Sequence, residues 1–266
     1  MFKSLTAVAV AALTMVGGAQ ATNISTSTID LFSTFQAKLT DTTTVGVVAS
    51  EVGNLLDNTI LGHFREIMVD QKTNAGFGEE SSIGVSGGLL KFSNEFGASS
   101  TGTVRWDGFT AAPGGAINVI GLQNAGVGID IGNVLTDFFE LKVKFADGMY
   151  NFRIDAYTSA TRWSTVEIIA NQHALPVTTY IPLAAFLDCT NVVPPGPPLV
   201  TVTCGSGGAV DFDNLGALQA VIDVAGTAAA LDLALDQVTV VPEPNAIALV
   251  GLALIGAGVA SRRRKV

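Results

Sequence analysis

Histidine and cysteine are almost missing from this chain, two of each in 266 residues. His63 and His173 have no C-x-x-C or H-x-x-x-H company, so a metal centre built from thiolate and imidazole has little support. Charged residues make up 14% and aromatic residues 7%. The first figure excludes a charge-rich coiled coil, and the second leaves few rings for a ligand platform. Positive charge is the scarcer sign: 14 Lys and Arg face 23 Asp and Glu, for a net charge of −9. An acidic chain repels phosphate backbones, so nucleic acid is not an expected partner. No long helical period of apolar residues runs through the middle. What is present is 48% hydrophobic residues and 29 glycines, enough to bury a core and to turn the chain often. That excludes a disordered polymer and fits one large domain or two small ones.

The two ends read as addresses. Lys3 precedes the apolar run Leu5 to Val16, and Ala19-Gln20-Ala21 follows with small residues at alternate positions. That order predicts a signal peptide over 1–21, cleaved after Ala21; the run is too short for the ~20 residues of a membrane-spanning helix. At the other end Val241-Pro242-Glu243-Pro244-Asn245 leads into an uncharged stretch from Ala246 to Ala260, closed by Arg262, Arg263, Arg264 and Lys265. As a helix over 245–261 this stretch spans a locally thinned bilayer, with the cations held on the cytoplasmic side. The prolines keep the residues outside the membrane extended. An ordinary tail anchor accounts for the helix and the cations but has no need of Pro-Glu-Pro.

Pro242, Glu243 and Pro244, the apolar helix and the basic end together resemble the PEP-CTERM sorting signal of Gram-negative bacteria. The resemblance implies recognition by exosortase, a membrane-embedded cysteine transpeptidase-like enzyme, and removal of the tail during export. It also implies an association with exopolysaccharide and biofilm. Export machinery, signal peptidase, exosortase and the membrane are then the expected partners, with exopolysaccharide a further one. The expected itinerary is an inner-membrane-anchored intermediate and then the cell surface or the extracellular space. The signal covers about 25 residues and leaves the domain between 22 and 241 to be read by itself. Shorn of both ends, that domain keeps nine of the basic and 22 of the acidic residues, a clearly acidic body for which direct binding to an anionic polysaccharide calls for bridging cations.

Cys189 and Cys204 enclose a stretch with four of the nine prolines. In an exported protein this predicts a disulfide, worth about 3 kcal/mol by chain entropy, against free thiols or half a metal site. Between the ends the pattern is of short strands, predicting an all-β, antiparallel two-sheet sandwich of jelly-roll-like kind. Leu141 to Phe145 and Tyr150 to Asp155 alternate around Asp147-Gly148, predicting a hairpin that sets Leu141 against Ile154, Val143 against Phe152 and Phe145 against Tyr150. Further strands are predicted over 60–70, 87–92, 103–106, 117–121, 165–169, 178–181, 210–213 and 231–241. The run Leu61 to Ile67, then Trp106-Asp107-Gly108, Gly121 to Asp130, Asp211 to Ala217 and a closing Leu-Asp-Leu strand resemble a recurrent layout of PEP-CTERM ectodomains, with His63 standing where that layout would have Gly.

Chemistry is sparse. Gly84-Val85-Ser86-Gly87-Gly88 matches G-x-S-x-G, the nucleophile turn of hydrolases, but a strand follows it where that turn requires a helix. The glycines from Gly126 to Gly132 lack phosphate-loop spacing and predict a connecting turn. Asp211 and Asp213, on one face of a strand, are the candidates for a structural Ca²⁺, with solvated outward positions as the alternative; no other metal or cofactor is expected. Trp106, Trp163, Tyr150, Tyr157 and Tyr180 either stack on sugars or fill the core. The expected function is that of an exported, non-enzymatic structural protein of the biofilm or exopolysaccharide. A carbohydrate-binding or adhesive module is the alternative, and a secreted hydrolase the distant one.

Overall fold

The structure, a computed structural model, describes residues 27–76, 78–189 and 199–243. The signal peptide with Ala19 and Ala21, the proline-rich 190–198, Pro244, the apolar 245–261 and the basic 262–265 lie outside the described residues. Fourteen strands are described: β1 (Ser27–Asp30), β2 (Gln36–Asp41), β3 (Val48–Gly53), β4 (Phe64–Thr73), β5 (Ser81–Ser86), β6 (Leu89–Asn94), β7 (Ser99–Trp106), β8 (Asp137–Ala146), β9 (Tyr150–Tyr157), β10 (Trp163–Ala170), β11 (Val177–Pro182), β12 (Leu199–Cys204), β13 (Ala217–Ile222) and β14 (Asp232–Pro242). Short 3-10 turns at Leu61–His63, Leu183–Leu187 and Phe212–Asn214 complete them. Among the described residues no helix is long and apolar enough to cross a membrane.

Two antiparallel sheets form. Sheet 1 runs β11-β8-β14-β6-β5-β2, with β1 added beside β14, and sheet 2 runs β12-β10-β9-β13-β7-β4-β3. The chain crosses repeatedly from one sheet to the other, which makes the architecture the two-sheet sandwich expected. Inward residues of the two sheets meet in one core: Phe92, Phe139, Leu141 and Leu235 from sheet 1 face Ile67, Val104, Phe152 and Ile154 from sheet 2. Burial of these side chains is the main driving force for the fold, at about 1.5–3 kcal/mol each. Phe139, Phe186 and Phe212 pack edge to face, with ring centroids 5.4–5.9 Å apart, and so tie two of the 3-10 turns to sheet 1.

The expected hairpin between β8 and β9 does not form. β8 pairs with β11 and β14 in sheet 1, whereas β9 pairs with β10 and β13 in sheet 2. Asp147 and Gly148 therefore carry the chain from one sheet to the other, Asp147 N–H bonding to Asp232 O at 3.1 Å. Alternation reports which face a residue occupies and is silent on its neighbour. Leu141, Val143, Tyr150 and Phe152 do meet around one small cavity, but across the core rather than along a shared sheet; Phe145 is 38% exposed. Residues 117–121 form turns instead of a strand. Residues 210–213 run into the Phe212–Asn214 turn instead of forming a strand, and the buried Phe212 between two aspartates imitates strand alternation.

Cys189 and Cys204 are joined, their Cα atoms 5.4 Å apart. The bridge fastens edge strand β12 to the segment after the Leu183–Leu187 turn.

Candidate functional site

The sorting motif begins inside the sandwich. β14 pairs with β8 through Val241↔Phe138 and Pro242↔Asp137, and Glu243 N–H donates to Thr136 O at 2.8 Å. On its other side the same strand end meets β1, with Ser27↔Val240 and Thr28↔Thr239. The chain thus enters and leaves the described body at one place. Pro242 is tolerated there because its missing N–H falls at the last position of the strand.

The second candidate lies on the outer face of sheet 2. Alternation on β4, β7, β13, β9 and β10 turns Ile67, Trp106, Leu218, Ile154 and Val166 inward and leaves the intervening positions outward. Register brings Glu66, Arg105, Gln219, Asp155 and Thr165 side by side across five strands. Their side chains bond in sequence. Arg105 reaches Glu66 Oε2 at 3.4 Å and gives its Nε–H to Gln219 Oε1 at 2.6 Å. Gln219 Nε2 donates to Asp155 Oδ2 at 2.8 Å, and Thr165 Oγ1 to Asp155 Oδ1 at 2.7 Å. Arg153, two residues along β9, pairs with Asp155 through its Nε at 2.9 Å.

Arg105 and Gln219 of this row edge a groove of about 280 Å³ that is also lined by Met68, Asp70, Lys72, Thr103, Arg153 and Val221. One wall is the long connection between β7 and β8. Glu66 accepts the Gly114 N–H, Arg105 Nη1 donates to Gly115 O at 2.7 Å, and Glu51 Oε2 accepts the Thr110 N–H at 2.8 Å. Burial, with Glu66 and Asp107 nearby, holds the Glu51 carboxyl above the usual carboxylate range. Glu51 and Glu66 are register partners, and both are engaged in holding that wall.

The other expected site residues are dispersed. Trp106 is in the core, its Nε1–H on Asp30 Oδ2 at 2.9 Å, and Tyr150 is buried as well. Tyr180 lies on β11 in sheet 1, with its hydroxyl on Glu140. Tyr157 and Trp163 alone come together, 6.4 Å apart on the outer face of sheet 2, in the row next to Asp155 and Thr165. Ser86 closes β5 on a two-residue hairpin turn whose Gly87 and Gly88 have φ of 62° and 75°, the turn of paired left-handed residues that glycine suits. No strand-to-helix elbow is built there. His63 and His173 set their Nδ1 atoms against the backbone carbonyls of Asp57 and Leu175. Asp211 does not share a strand face with Asp213: it caps the 3-10 turn, accepting the Asp213 N–H at 3.3 Å, and pairs with Arg162 at 3.2 Å. Among the described residues no group of three or more His, Cys, Asp or Glu is placed to hold a metal ion. The groove residues were not singled out as a site in the sequence; their signal is the charge at alternate positions of β4 and β9.

Comparison with known proteins gives one family match, the PEP-CTERM protein-sorting motif over residues 240–265. No curated protein matches the chain. Among solved structures it is similar to the family 11 carbohydrate-binding module of the cellulosomal cellulase Lic26A-Cel5E of Clostridium thermocellum, at 10% identity and a TM-score of 0.39, covering 82% of this chain and 95% of that one. It is also similar to an exo-beta-agarase, at 12% identity and a TM-score of 0.36, covering 67% of this chain and 22% of that one.

Proposed function

We propose that this chain is an exported, non-enzymatic β-sandwich handed by exosortase to the cell surface or extracellular matrix, where it is a structural component of the biofilm or exopolysaccharide. One observation carries the reading: the PEP-CTERM match over residues 240–265 starts within the last strand of an acidic sandwich and runs on beyond it. A transient membrane handle at the end of a finished domain suits delivery better than permanent anchoring. Ser86 in a glycine hairpin, and Glu51 and Glu66 committed to a loop, support a body without catalytic machinery.

Mass spectrometry of the exported protein tests this. The residues beyond the sorting motif and those before Thr22 are expected to be missing, with Cys189 joined to Cys204. Replacing Pro242, Glu243 and Pro244 together by Ala should leave the tail attached. Normal processing of that variant overturns the sorting mechanism.

A second reading, a polysaccharide-binding module, is favoured by the groove on sheet 2, a polar cleft with Tyr157 and Trp163 beside it on the same face.

A further inference from the structure

We infer that the groove on sheet 2 binds a carboxylate-bearing stretch of polysaccharide, with the guanidinium groups of Arg105 and Arg153 taking the carboxylate; this rests on the polysaccharide-binding reading.

The first argument is where the cations are. Of the nine Lys and Arg between residues 22 and 241, three, Lys72, Arg105 and Arg153, line this one groove. The body around them carries 22 acidic residues. The protein therefore offers an acidic chain a direct seat, and the bridging cations expected from net charge alone are unnecessary.

The second argument is how the cations are held. Arg153 gives its Nε–H to Asp155, and its two Nη groups have no partner among the described residues. Arg105 spends Nε on Gln219 and Nη1 on Glu66 and Gly115, which leaves Nη2 uncommitted. Glu66 and Asp155 are each 2% exposed, so they hold one edge of each guanidinium from below the surface and fix it instead of competing for the groove. The free Nη pair of Arg153 is a planar fork that matches a planar carboxylate, and Arg105 Nη2 adds a single donor beside it. The buried carboxylates also cancel much of the local charge, and Lys72 is paired with Asp70. A compact dianion such as inorganic phosphate gains little from such a site. A carboxylate repeated along a chain, making one directed contact per unit, gains more.

The third argument is what else lines the groove. Thr103 presents a hydroxyl, and Met68 and Val221 give an apolar floor, which suits the mixed polar and C–H surface of a sugar. Among the described residues no ring lines the groove itself. The Tyr157–Trp163 pair stands one row away, where a neighbouring unit of the same chain would reach it.

Calorimetric titration of the exported protein with oligogalacturonate, with a neutral glucan oligosaccharide and with inorganic phosphate tests the inference. Oligogalacturonate should bind, more weakly as salt rises, and the other two should not. Arg153→Ala should weaken binding at least about tenfold, Arg153→Lys should give a smaller loss, and Lys91→Ala on sheet 1 should change nothing, with all three unfolding as the parent does. Binding of the neutral glucan alone overturns the carboxylate assignment and leaves the polysaccharide reading standing. Oligogalacturonate binding that survives both Arg153 substitutions overturns the site. Absence of binding to every saccharide overturns the reading and the inference together.

Discussion

Arg65 and Asp30, both fully buried, bridge the two sheets through an ion pair in which the single Nη1 stands 2.9 and 3.1 Å from the two carboxylate oxygens. Asp30 belongs to β1 in sheet 1 and Arg65 to β4 in sheet 2. Every other polar atom of the pair is also met. Arg65 donates to Gln36 Oε1 and Thr34 O, while Asp30 accepts from the Phe32 N–H and Trp106 Nε1–H. The Arg65 guanidinium also lies over the Phe32 ring at 5.5 Å.

Such a pair adds little net stability by itself, but removing one member leaves an uncompensated buried charge. Arg65→Ala and Asp30→Ala are each expected to cost about 3–5 kcal/mol in urea unfolding, and the double variant less than their sum, because the second change removes a charge the first had orphaned. Additive losses would mean that the two side chains act independently.

His63 sits at φ 72°, a left-handed conformation that costs a residue with a Cβ roughly 1–2 kcal/mol. Its Nδ1 lies 2.9 Å from Asp57 O and offsets part of this. His63→Gly removes both the strain and the contact, so its stability should fall within about 1 kcal/mol of the parent. His63→Val keeps the strain, adds a branched Cβ and loses the contact, and should lose upwards of about 2 kcal/mol. Equal losses for Gly and Val would assign the position to the hydrogen bond and not to the backbone.

Asp107 is 3% exposed, and its Oδ1 has no hydrogen-bond partner among the described residues, while Oδ2 accepts the Asn118 N–H at 2.8 Å. Burial holds this carboxyl above the usual carboxylate range. A raised carboxyl favours the folded state in its protonated form. That contribution is complete below about pH 3.9 and is lost as pH rises through the raised value. Asp107→Asn keeps an acceptor for Asn118 and removes the charge. The variant should be more stable than the parent at pH 7 by on the order of 1 kcal/mol, with the gain gone below about pH 4. A destabilised variant at pH 7 would show that the charge is compensated.

The sorting motif and the cysteine bridge were legible because each rests on residues close together in the chain. The sandwich was legible from the inward faces of β4, β7, β10 and β14, which alternation marks. Partners were not legible, as the β8–β9 crossover shows, since period two says nothing of the neighbouring strand. β13 escaped notice for a different reason. All six of its residues are buried, with Gln219 and Val221 covered beneath the groove, so Ala-Leu-Gln-Ala-Val-Ile carries no polar face to give it away. The groove itself depends on the register of Arg105 with Gln219 and of Gln219 with Asp155. Those pairs join strands far apart in the chain, and only the folded sheet brings them into line.

The sorting end supplies the last expectation. Pro242 is paired with Asp137 and Glu243 N–H is bonded to Thr136 O, so the motif leaves the sandwich with no slack. An enzyme that takes the motif as an extended segment must first separate it from β8. Pro242 has no N–H to lose, and the Glu243 bond is worth about 1 kcal/mol, so the barrier is small but finite. Four Gly-Ser residues inserted between Val241 and Pro242 would free the motif from β8 while β14 stays paired up to Val241. Tail removal, followed by pulse-chase and mass, should then quicken several-fold, as that energy converts to rate at roughly tenfold per 1.4 kcal/mol. A slower or unchanged rate would mean that exosortase accepts the motif while it is still held in the sheet, with the folded body itself part of what is recognised.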